Sequence, residues 1–78
     1  MRKSRRKMSY AVKRRLTARR IVGICKMIAK KDISKDLTAL VEDYIVTKLP
    51  RPLMLRLIHG DWGRPMREAM KLTVPFFA

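Results

Sequence analysis

Between Asp32 and Leu49 the apolar residues recur with the period of an α-helix: Ile33, Leu37, Leu40, Val41, Tyr44 and Ile45 share one face. The spacing predicts a helix over 33–48. Ser34 serves as its N-cap, and Asp36 sits in the first turn, where a carboxylate complements the helix dipole. Pro50 ends the helix, because the residue before a proline disfavours helical geometry. Glu42 and Asp43 fall on or near the polar side, placed to pair with basic residues of an earlier helix.

That earlier helix has a less uniform pattern. Met8, Val12 and Leu16 recur at i, i+4, i+8 among Lys13, Arg14, Arg15, Arg19 and Arg20, giving a narrow apolar seam in a wide basic surface. After Thr17 the apolar set becomes Ile21, Ile24, Cys25 and Ile28, with Val22 and Met27 beside it. At ~100° per residue the two sets lie far apart on one cylinder. Either a single helix over 8–31 buries different faces against different neighbours, or the chain breaks at Thr17, which would cap a second helix. One long or lightly kinked helix ending near Lys30–Lys31 is the preferred reading, two lysines suiting the negative end of the dipole. Gly23 inside it costs ~1 kcal/mol against alanine and is read as room for another helix to approach.

Downstream, Pro50-Arg51-Pro52 is a stiff bend leading into a short helix over 53–59. Leu53, Met54, Leu55, Leu57 and Ile58 make it apolar on most sides, so it is expected to be the most buried element. Gly60 stops it, Asp61-Trp62-Gly63 forms a turn, and Pro65 opens a last helix over 65–72 with Met66, Ala69 and Met70 on one side. Pro75 is expected to break that helix and leave 73–78 as an apolar tail ending in Phe76-Phe77-Ala78. Leu72-Thr73-Val74 is too short to be a strand. The expected fold is all-α: one small domain over 8–78, a bundle of three to four helices, preceded by a flexible basic arm, MRKSRRK, over 1–7.

Composition sharpens this. With 78 residues the core is limited, since a domain of about 60 residues buries only ~60% of its unfolded surface. Cys25 is the single cysteine and His59 the single histidine, so neither an intrachain disulfide nor a four-ligand zinc site can staple the fold. Self-association or a bound partner, nucleic acid or a larger protein, is the expected stabiliser. One thiol suits a reducing setting, so a cytoplasmic or nucleoid-associated protein is expected rather than a secreted one. The apolar run Ile21–Cys25 is far short of the ~20 residues a membrane span requires. Lys26, Lys30 and Lys31 interrupt any signal-peptide core. The Arg-rich, acid-free start has the composition of a mitochondrial presequence, but its removal would leave only 47 residues.

Charge changes the picture most. The first 31 residues hold 13 Lys or Arg and no acid, whereas the other 47 hold 7 against all 6 acids, within a net charge of +14. Such asymmetry points to a polyanionic partner, because self-repulsion makes this density a liability without one. The doublets Arg5-Arg6, Arg14-Arg15 and Arg19-Arg20 suit phosphate, which arginine grips in bidentate fashion. The expected nucleic-acid contacts, to DNA or RNA, are Arg2, Lys3, Arg5, Arg6, Lys7, Lys13, Arg14, Arg15, Arg19 and Arg20. Reading 53–59 and 65–72 as a helix-turn-helix would add Arg64, Arg67 and Lys71 as groove contacts.

No catalytic residues, cofactor or metal are expected. Cys25 lies among Ile24, Met27 and Ile28, as an inert core thiol does. His59 reads as a helix-terminal residue, Asp61 as a turn residue, and Glu42 and Asp43 as neighbours pointing in different directions. The sequence contains neither a phosphate-binding loop nor a dinucleotide-binding motif. The alternative function is a small adaptor or inhibitor, of the kind phages and plasmids encode, that docks on a larger protein. Its contacts would be the basic helix, Trp62, Phe76 and Phe77. Binding to a membrane surface through 8–31 is a third reading, weakened by the small seam and the lack of aromatics beyond Tyr10.

Overall fold

Ser9 opens the first helix: its side chain accepts a hydrogen bond from the Val12 amide, and its backbone has the extended geometry of an N-cap. The computed structural model describes residues 9–77. The expected arm over 1–7, with Arg2, Lys3, Arg5, Arg6 and Lys7, and also Met8 and Ala78, lie outside the described residues. Four helices follow one another: α1 (Tyr10–Ala29), α2 (Lys35–Lys48), α3 (Arg51–Ile58) and α4 (Arg64–Phe77). Among the described residues there is no strand.

α1 is one uninterrupted helix, and Thr17 is a buried residue within it rather than a cap. It buries Thr17, Ala18, Ile21, Val22 and Cys25, the second of the two apolar sets. The Val12–Leu16 seam stays outside, with Val12 46% and Leu16 39% exposed. The reason is geometric: a continuous helix that turns Ile21 and Val22 inward points positions 12 and 16 away from the core. Gly23 shares that outward side, and a Cβ built there meets nothing within 4 Å. Among the described residues no helix packs against it there, contrary to expectation.

Ser34 caps α2 as the sequence predicts, accepting from the Leu37 amide at 3.1 Å, so the helix starts at Lys35 and Ile33 precedes the cap. Val41 and Ile45 form its buried line, with Ile33 and Leu37 packed against the core, while Leu40 is 61% exposed. α3 begins two residues early, at Arg51, with Pro52 in its first turn, where a missing N–H costs nothing. It is no more buried than its neighbours: Met54 and Leu57 are buried, and Leu53 and Ile58 only pack against the core. Two turns of helix contacting α1 and α4 alone leave the remaining side to water.

Gly60 has φ 95° and closes α3 with a pair of bonds, Gly60 N–H to Leu57 O at 3.0 Å and Asp61 N–H to Arg56 O at 2.8 Å. This is the glycine-terminated helix end that the sequence implies. α4 departs from expectation by running through Pro75 to Phe77. Proline lacks the N–H that would reach back to Lys71, but near the end of a helix that loss is small, and packing outweighs it. Phe76 meets the Tyr44 ring edge-on at 5.4 Å, Phe77 packs against the core, and Lys31 Nζ donates to the Phe77 carbonyl at 3.4 Å. The expected free apolar tail is therefore the last turn of a packed helix.

α1 and α4 each contact every other helix, whereas α2 and α3 do not touch one another. The core is the seam of this α1–α4 pair, flanked by α2 on one side and α3 on the other. Ala18, Ile21, Val41, Ile45 and Ala69 are fully buried in it.

Candidate nucleic-acid interface

The basic side chains of α1 emerge beside acids and rings from other elements. Arg15 pairs with Asp43 and approaches Glu42 at 3.6 Å, and Arg19 meets the other oxygen of Glu42 at 3.7 Å. The Glu42 side chain is only 9% exposed, against 41% for Arg15 and 65% for Arg19. A carboxylate that deep requires cationic partners, and the two arginines supply them while keeping much of their own surface in water. The pairing of α2 acids with the first helix is as the sequence predicts. The position of Glu42 is not, because it lies inside rather than on the polar side.

Aromatic rings hold the other arginines. Arg20 lies over the Trp62 ring at 5.1 Å from its centroid. Tyr10 receives two guanidinium groups, Arg14 at 5.6 Å and Arg51 at 4.7 Å. Each such contact contributes about 0.5–1 kcal/mol at an exposed site. Arg14 is four residues from Tyr10, a spacing visible in the sequence; Arg51 and Trp62 reach their partners only through the tertiary fold. Trp62 itself packs against the core as well as carrying Arg20.

Lys13 and Arg20 also border a cleft of about 270 Å³ between α1 and the end of α3, completed by Leu16, Thr17, Ile58 and His59. Lys13, Arg14, Arg15, Arg19 and Arg20 thus share one helix, the last four each held by a ring or a carboxylate. The helix-turn-helix candidates are distributed differently. Arg64 and Arg67 are exposed in the first two turns of α4, and Lys71 is paired with Glu68 at 3.2 Å. Of the expected docking residues, Trp62, Phe76 and Phe77 are all partly buried against the core. Among the described residues the strongly exposed apolar ones are instead Met27 at 77%, Ile28 and Leu40 at 61%, and Val74 at 60%.

Cys25 is buried, its sulfur 3.2 Å from the Thr73 hydroxyl. It lines an apolar cleft of about 130 Å³ with Ile28, Met70, Thr73, Val74 and Phe77. His59 terminates α3 and borders the other cleft, so the chain's thiol and imidazole belong to different places. Asp61 is a turn residue, accepting from Arg56 Nε at 2.8 Å. Among the described residues, no group of three or more His, Cys, Asp or Glu converges as a metal site would, and no helix is long and apolar enough to cross a membrane. Comparison with protein-family models, curated proteins and solved structures finds no match.

Proposed function

We propose that this chain binds nucleic acid without catalysis, contacting the phosphate backbone through the basic side chains of α1. The observation that carries the reading is that four guanidinium groups of one helix are each held in place: Arg14 on Tyr10, Arg15 and Arg19 on Glu42, and Arg20 on Trp62. Cations ordered before binding lose less side-chain entropy when they meet phosphates. The acids that neutralise part of this set come from α2 and leave Arg19 largely in water, so net positive charge faces outward.

Salt titration tests it. With six or more phosphate contacts, affinity for a random-sequence duplex is expected to fall by ~10³ or more between 50 and 200 mM salt. A flat response, or no binding at low salt, refutes the reading.

One observation favours a second reading, the protein-docking adaptor or inhibitor. Met27, Ile28 and Val74 are exposed around the apolar cleft of Cys25 and Phe77, at the end of the bundle that also carries Lys30. A partner with an apolar ridge flanked by acids fits that surface. Its binding would resist salt and be lost in Val74→Asp while surviving Arg19→Ala.

A further inference from the structure

We propose that the cleft between α1 and the end of α3 receives a single unpaired nucleotide of a bound strand, so that the chain recognises a base displaced from the helix as well as phosphate. The inference rests on the nucleic-acid reading and adds a second, separable site to it. The cleft has two kinds of surface. Leu16 and Ile58 provide apolar lining, while Lys13, Thr17, Arg20 and His59 provide polar lining. A phosphate or inorganic anion has no use for the apolar part, and a purely apolar ligand has none for two cations. A nucleotide uses both: a planar base for the apolar part, base edges for hydroxyl and imidazole, and a phosphate for Lys13 and Arg20.

Size and position agree. At about 270 Å³ the cleft lies just below the ~300–1,000 Å³ of pockets for drug-sized ligands, which suits one planar group rather than a larger molecule. Leu16 is 39% exposed although it sits among cations, and a base would cover it. Arg20, which lines the cleft, is already held over the Trp62 ring at 5.1 Å. Guanidinium planes and apolar or aromatic side chains are the surfaces on which displaced bases are held. Finally, Arg20 belongs both to the cleft and, with Arg19, to the exposed side of α1, so a strand held by those two residues passes its entrance. That continuity favours a nucleotide within a strand over a free one.

The experiment compares a DNA duplex with the same duplex carrying one bulged nucleotide, in the full chain and in Leu16→Ser and His59→Ala. Neither position is among the basic residues proposed to contact phosphate, and circular dichroism checks that helix content is retained. The bulged duplex is expected to bind about tenfold more tightly than the paired one. In either variant that preference is expected to collapse to near unity, while affinity for the paired duplex and its salt slope stay as they were. Millimolar adenosine monophosphate is expected not to compete. Equal binding of the two duplexes, or a preference that survives both substitutions, overturns the assignment of the cleft while leaving phosphate binding intact. Displacement by the free nucleotide overturns the assignment to a strand. Absence of binding to both duplexes overturns the underlying reading as well.

Discussion

Gly23 occupies the middle of α1 on its exposed side, where an added Cβ meets open space. Glycine in a helix interior loses backbone entropy that alanine does not, at a cost of about 1 kcal/mol. Gly23→Ala is therefore expected to stabilise the fold by about 1 kcal/mol, read as a higher denaturant midpoint with unchanged slope. A fall in stability would mean that the position is sterically closed. The sequence shows that Gly23 lies in a helix but not which way it faces, because α1 carries two apolar stripes and periodicity alone does not rank them. Val12 and Leu16 were illegible for the same reason. By contrast Ser34, through its hydroxyl, and Pro52 and Gly60, through their backbones, act on their immediate neighbours, and their roles could be read directly.

Between elements, the main polar device is the attachment of α1 to α2 through Glu42. Removing a buried partner from an ion pair typically costs ~3–5 kcal/mol, because a charge is stranded. Here the arginines are 41% and 65% exposed and can return to water, and Asp43 still holds Arg15. Glu42→Ala is thus expected to cost about 2 kcal/mol, lowering the denaturant midpoint, with Asp43→Ala costing under about 1 kcal/mol because that pair is exposed. Equal effects would show that Glu42 acts no differently from a surface acid. The sequence made the pairing legible through charge and helical order, but not the burial, since Glu42 sits beside Val41 in a stretch whose apolar spacing assigns it to the polar side. Pro75 is the converse case. Its local rule predicts a break, and it yields to distant partners, Tyr44 and Lys31, that no local reading supplies.

At the scale of the whole molecule, the charge asymmetry read from the sequence becomes a question of which surface presents it. Two basic surfaces are candidates: the α1 face with Arg19 and Arg20, and the start of α4 with Arg64 and Arg67. Paired substitutions separate them, because each double variant removes two positive charges and leaves the net charge of the chain identical. Long-range attraction then weakens equally, and any difference reports contact. Each phosphate contact contributes about 0.9 to the slope of log affinity against log salt. If α1 is the contact surface, Arg19→Ala with Arg20→Ala lowers that slope by roughly 1.8, whereas Arg64→Ala with Arg67→Ala leaves it unchanged within error. Arg15 continues to hold Glu42 in the first variant, so the bundle is expected to remain folded, which its helical dichroism checks. The reverse pattern of slopes would transfer the interface to α4 and with it the helix-turn-helix reading. Equal reductions would mean that both surfaces meet phosphate, with the duplex bridging α1 and α4.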